Sequence, residues 1–81
     1  MSIDSSEALN TARRLCRTLD STPDPLRQAQ AIAAGLLKAQ DWTSPARAQV
    51  AAFAEWLKAR PPPSALKSRC KALLAALEAA R

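Results

Sequence analysis

Apolar residues recur every three or four positions in four segments of the chain, the spacing that places them on one face of an α-helix. Proline separates these segments at Pro23 and Pro25, at Pro45, and in a run that begins at Pro61. Because proline cannot continue a helix but is tolerated in its first turn, each cluster marks a boundary. The pattern predicts helices over about residues 5–19, 25–40, 45–60 and 64–80.

Residues that cap helix N-termini precede three of these segments. Asp4 lies before the first and is followed by Glu7, as in a capping box. Asp24 precedes Pro25 before the second segment, and Ser44 precedes the third in the same way. We therefore expect these three side chains to accept hydrogen bonds from the first turns of the helices.

The apolar stripes are one-sided, so each helix is expected to bury one face. The inward positions of the second helix are predicted to be Leu26, Ala29, Ile32, Ala33, Leu36 and Leu37. Connections of about three to five residues favour antiparallel neighbours. The predicted fold class is all-α, either a small four-helix antiparallel bundle or two packed helical hairpins.

Composition limits how much core such a fold contains. The chain has 81 residues, enough for one domain over 1–81, and 48% of them are hydrophobic. Nineteen are alanine, however, and only fifteen are Leu, Ile, Val or Phe. Alanine favours helices and lets them pack closely, but it buries little area. We therefore expect a thin core, which gains from packing against a partner or a second copy.

The chain lacks the residues that several kinds of catalytic and binding chemistry require. The chain has no histidine, and its one glycine, Gly35, cannot form a glycine-rich phosphate loop. Its two cysteines are far apart in sequence, without the pair spacing of a zinc site. We expect a protein that is not an enzyme, with no catalytic residues, no metal, no cofactor and no small-molecule substrate.

The two cysteines lead to a structural prediction. Cys16 lies near the end of the first predicted helix and Cys70 near the start of the fourth. In an up-down-up-down bundle these levels coincide on adjacent helices, so the two thiols are expected to be neighbours. Packing as small buried side chains is favoured over a redox switch. The N-terminus lacks a signal-peptide pattern and no segment could cross a membrane, so a cytoplasmic location is expected, where thiols stay reduced.

The positive charge is expected to concentrate at one end of the bundle. The chain has a net charge of +5. The predicted basic pole contains Arg13, Arg14, Arg17, Lys58, Arg60, Lys67, Arg69 and Lys71. Helix dipoles explain the cations at the C-terminal ends of helices, but not those early in the fourth helix, nor Glu78 near its end. This departure from local preference is typical of a functional site, with a solvated charged face as the alternative.

Tryptophan is a further candidate for binding, since it is common at interface hot spots. Trp56 borders the Phe53 and Leu57 stripe, so a core position is favoured for it. Trp42 lies in a connection, where it either folds back over the bundle or remains available as a hydrophobic anchor.

Two functional hypotheses follow. The first is a non-enzymatic protein-interaction module of adaptor or regulatory type, whose partner is another protein or a second copy of the chain. The second is a nucleic-acid-binding accessory protein that contacts phosphates through Arg13, Arg14, Arg17, Arg60, Lys67, Arg69 and Lys71. Membrane binding is not expected.

Overall fold

Four helices form an all-α bundle in the computed structural model, which describes residues 3–80. They are α1 (Ser5–Arg17), α2 (Pro25–Lys38), α3 (Ser44–Leu57) and α4 (Pro63–Ala79). The bundle measures 31 × 21 × 21 Å. The predicted fold class is confirmed, and because α4 packs against α1, α2 and α3, the two hairpins close into one bundle.

Contacts between the helices establish their directions. Gln28 at the start of α2 donates to the carbonyl of Leu15 at the end of α1, so these two helices run antiparallel. On the other side of α1, Arg13 pairs with Glu78 and Asp20 pairs with Lys67, an order that makes α4 antiparallel to α1. Across the bundle α2 touches α4, whereas α1 and α3 do not meet within the residues described.

The core is built from few large side chains, as the composition suggests. Phe53 is the largest side chain that is fully buried. The other fully buried large side chains are Leu9, Leu19, Ile32, Leu36, Leu66, Leu77, Val50 and Cys70. Alanines fill the space between them, since Ala12, Ala29 and Ala46 are each at most 2% exposed. Small side chains at these positions let the helix axes approach closely.

The predicted caps are present, with one shift. Asp4 accepts from the backbone N–H of Glu7, and Asp24 from that of Arg27. For α3 the cap is Thr43 rather than Ser44, because the Thr43 hydroxyl accepts from the N–H of Ala46 and Ser44 begins the helix. Proline then occupies the second helical position, where its missing N–H costs no hydrogen bond.

The first three helices end two or three residues earlier than predicted. Extended backbone at Ala39 ends α2, and Leu19 joins the core from a turn after α1. Beyond α3, Arg60 adopts a left-handed conformation with φ of 54° and is followed by three prolines. The periodic pattern continues through these positions, but backbone conformation there no longer follows it.

The connection between α2 and α3 satisfies backbone groups of three helices. The Asp41 carboxylate accepts from the Ser5 N–H, which opens α1, at 2.7 Å, and from the Ser5 hydroxyl at 2.9 Å. The Trp42 indole donates to the Leu36 carbonyl near the end of α2, at 2.8 Å, and Thr43 caps α3. Helix ends leave such groups without helical partners, so this connection holds three helix ends together.

Two positions were expected for Trp42, either folded back over the bundle or available as an anchor. The structure has the first of them. Trp42 is 7% exposed and belongs to the core cluster. The interpretation of Trp42 as an available anchor is corrected, since a buried indole presents almost no surface to a partner.

A second correction concerns Leu37, which was predicted to face inward but is 51% exposed. Ala29, Ile32, Ala33 and Leu36 fill the buried stripe of α2. Adjacent residues on a helix point about 100° apart, so Leu37 cannot share the direction of Leu36.

The cysteine prediction is confirmed. Cys16 and Cys70 are both buried and unbridged, and their thiols are close enough for Cys16 to influence the protonation of Cys70. Burial, together with this neighbour, raises the pKa of Cys70 well above its ordinary value. Because the thiolate is the reactive form, this environment favours packing over redox chemistry.

Candidate interaction surfaces

The surface between α2 and α3 contains a long groove, here called the α2–α3 groove. One part, of about 470 Å³, is lined by Leu37, Ala39, Gln40, Trp42, Arg47 and Val50. The other, of about 270 Å³, is lined by Gln30, Ala33, Ala34, Leu37, Ala54, Leu57 and Lys58. Leu37 lines both parts and so joins them into one surface. The part between Gln30 and Lys58 is mostly apolar, whereas Gln40 and Arg47 make the other part about as polar as it is apolar.

The charged groups of the groove are positive. Arg47 lies at one end, where its guanidinium donates to the Gln40 carbonyl at 3.1 Å. Lys58 lies at the other end and pairs with Glu55 at 3.2 Å, a contact in which both side chains are at least 70% exposed. No aspartate or glutamate lines either part. The sequence of α2 contains no acidic residue at all.

Among the cations of the predicted basic pole that helix dipoles do not explain, Lys67 and Arg69 have partners within the chain. Lys67, early in α4, pairs with Asp20 at 2.8 Å. The Arg69 guanidinium lies over the Trp56 ring, 5.0 Å from its centroid, a cation–π contact. Glu78, near the C-terminus of α4, pairs with Arg13. These contacts across helices explain the positions of Lys67, Arg69 and Glu78 without an external ligand.

The cations of the predicted basic pole also lie at different levels along the bundle and are not gathered at one end. Arg13 pairs with a residue near the far end of α4 and Lys71 lies in the middle of that helix, so neither belongs to the end surface that the sequence predicted. Arg17 and Lys71 instead line a groove between α1 and α4, with Arg14 exposed one turn before Arg17. Arg14, Arg17 and Lys71, called the α1–α4 basic face, form no ion pair with any residue between 3 and 80. Arg60 stays apart, exposed in the α3–α4 connection.

The contact between Lys67 and Asp20 gives a pH-dependent prediction. The hydrogen bond from Lys67, a backbone hydrogen bond and the Lys67 charge lower the pKa of Asp20 below its ordinary value. Lys67→Gln should raise that pKa back toward the ordinary value, measured by an NMR pH titration of the Asp20 carboxyl carbon. A group with a lowered pKa stabilises the fold above its unfolded-state pKa, and this contribution is lost as the pH falls through the folded-state pKa.

The matched control for this titration is Lys58→Gln, which removes a lysine that pairs with Glu55 instead. The Asp20 titration should be the same in this variant as in the unchanged chain. An Asp20 curve that Lys67→Gln leaves unmoved would show that the lysine does not hold the carboxylate in solution.

Between residues 3 and 80, no three side chains of His, Cys, Asp or Glu come together as a metal site would require. None of the helices in that range is both long and apolar enough to cross a membrane.

The α2–α3 groove was not predicted from the sequence. The missed signal is the Leu36-Leu37 pair, in which only one leucine can occupy the buried stripe of α2. The second must lie on an adjacent face, and alanines at Ala34 and Ala54 leave that face open.

No protein-family model, curated protein or solved structure matches this chain significantly.

Proposed function

We propose that this chain is a non-enzymatic helical interaction module that holds another protein in its α2–α3 groove. The observation that carries the proposal is Leu37, the exposed large hydrophobic residue of the bundle, at the junction of two depressions. A single exposed leucine is ordinary on a protein surface. One that joins two depressions between two helices, of which one is mostly apolar, has the form of a site that receives a partner's apolar side chains.

The rest of the bundle supports this proposal. Trp42 and Val50 line the groove while their own side chains are buried, so the walls are fixed by the core. A surface held in place in this way loses little conformational freedom on binding. The cytoplasmic location expected from the sequence is part of the proposal.

Leu37→Gln tests the proposal. Glutamine is a good helix former of similar length, and Leu37 is half exposed, so stability should change by less than about 0.5 kcal/mol. We expect Leu37→Gln to abolish saturable, stoichiometric capture of the protein partner, measured by quantitative affinity capture from an extract. The control is Ala48→Gln, an exposed change on α3 outside the groove lining. Equal capture by both variants would contradict the proposal.

A second candidate function is binding to nucleic acid, favoured by the α1–α4 basic face. Arg14 and Arg17 are one turn apart and Lys71 lies across the α1–α4 groove from Arg17, so three cations without ion pairs are close together. Spaced cations of this kind contact successive phosphates and bind all sequences similarly.

Anisotropy of labelled duplex and single-stranded DNA at roughly 50 and 200 mM salt tests this second function. Replacing Arg14, Arg17 and Lys71 by glutamine should weaken binding and reduce the salt slope by about one unit per lost phosphate contact. Replacing Arg27, Lys38 and Arg47 removes the same charge from α2 and α3 and should have a smaller effect. If the two triple variants behave alike, the chain attracts DNA by net charge alone and this face is not a site.

A further inference from the structure

We infer that the occupant of the α2–α3 groove is an amphipathic helix of about three turns whose apolar face is flanked by acidic residues at both ends. This inference rests on the proposed function and adds the length, secondary structure and charge of the partner segment.

The length follows from the two cations. Arg47 lies in α3 and Lys58 caps its C-terminal end, eleven positions further along the chain, and the two line opposite parts of the groove. With a rise of 1.5 Å per residue, this separation is about 16 Å along the helix. A helix of about three turns covers the same distance, so a segment of that length reaches from one cation to the other.

The lining favours a helix over an extended strand. Both walls are helices whose hydrogen-bonding groups are satisfied internally, so the groove offers no edge to which a strand could add. Ala33, Ala34 and Ala54 have small side chains, which lets a third helix approach the pair closely. Leu37 stands between the two depressions, so the docking helix would place apolar residues on either side of it, one or two turns apart.

The charges distinguish an acidic partner from a second copy of this chain. A two-fold dimer through the groove would bring Arg47 and Lys58 of one copy against the same cations of the other, and α2 has no acidic residue to compensate. Glu55 already pairs with Lys58. A carboxylate at the Arg47 end of a docking helix would meet a cation that has no ion pair within residues 3–80, and one at the Lys58 end would compete with Glu55 for an exposed lysine.

A designed peptide pair tests the inference on the full chain. Both peptides have fourteen residues, capped ends, the same leucines at helical spacing, and either two glutamates or two lysines at each end. We expect the acidic peptide to bind about tenfold more tightly than the basic one, since two exposed ion pairs contribute on that order. Binding is measured by anisotropy of labelled peptide, and its location by amide chemical shifts of residues around Leu37.

Charge reversal provides the specific readout. Arg47→Glu combined with Lys58→Glu should invert the preference, so that the basic peptide binds more tightly than the acidic one. Arg14→Glu combined with Arg17→Glu makes the same change in net charge away from the groove and should leave the preference for the acidic peptide intact. Both changes are at exposed positions, and circular dichroism checks that each variant is folded.

The remaining outcomes contradict either the acidic charge of the partner or the docking helix itself. Equal binding of both peptides, lost in Leu37→Gln, would overturn the acidic partner and leave the proposed function standing. Failure of both peptides to bind, with self-association of the chain that Leu37→Gln removes, would identify a second copy as the occupant and overturn the inference. Failure of both without self-association would also overturn it, and the proposed function would then depend on the capture experiment alone.

Discussion

Phe53→Ala should leave the chain with little folded structure at moderate temperature. Phe53 is 1% exposed and is the largest fully buried side chain in a core that consists mostly of leucine and alanine. Removing a buried phenylalanine costs about 3 to 5 kcal/mol, from lost burial and from the cavity that remains. Domains of this size have total stabilities of only about 4 to 12 kcal/mol. The melting temperature, followed by circular dichroism, should therefore fall by roughly 15 °C or more.

The control for this change is Phe53→Leu, which keeps most of the apolar volume and should cost about 1 kcal/mol. Trp56 packs beside Phe53 in a tilted arrangement, with ring centroids 5.9 Å apart, and is itself only partly buried. If Phe53→Ala destabilised the chain by less than about 1 kcal/mol, the packing described around this ring would be wrong.

Trp42→Ala should destabilise the bundle by a similar amount, about 3 to 5 kcal/mol in urea unfolding. Its indole is 7% exposed, and its N–H donates to the Leu36 carbonyl at the end of α2. The substitution removes both the packing and this hydrogen bond. An exposed binding anchor would behave in the opposite way, with unchanged stability and weakened binding.

Trp42→Phe separates the two contributions, because it retains an aromatic ring but no donor. We expect it to cost about 1 to 2 kcal/mol, the range for a lost buried hydrogen bond together with a smaller ring. Trp56→Phe is the matched control, since Trp56 donates no hydrogen bond within residues 3–80. Equal losses in the two phenylalanine variants would mean that the bond to Leu36 contributes nothing.

Local sequence signals were sufficient for the fold. Helical periodicity, proline positions and the caps at Asp4 and Asp24 are properties of neighbouring residues, and all of them hold in the structure. The pairing of Cys16 with Cys70 also followed, because antiparallel topology alone determines which levels of α1 and α4 meet.

The candidate sites depended on contacts that sequence spacing does not contain. The partner of Lys67 is 47 residues away, at Asp20, so its position early in α4 resembled an unexplained charge. Trp42 lies in a connection, where no periodic pattern indicates burial, and the carbonyl that it reaches is identified only when α2 and the connection are seen together. The inward position predicted for Leu37 was wrong for a different reason. Helical periodicity is compatible with either leucine of the Leu36-Leu37 pair facing the core.

The connection between α3 and α4 is a stiff segment of backbone rather than a flexible one. Pro61, Pro62 and Pro63 each have a fixed φ, and Pro62 adopts the extended polyproline conformation with φ of −68° and ψ of 152°. Such backbone advances about 3 Å per residue, so a few residues span the 8 to 10 Å that separates packed helices. The unfolded chain has little freedom to lose in this stretch. Closing the α3–α4 hairpin therefore carries a smaller entropic penalty than closing α1 on α2, whose connection contains one proline before Asp24.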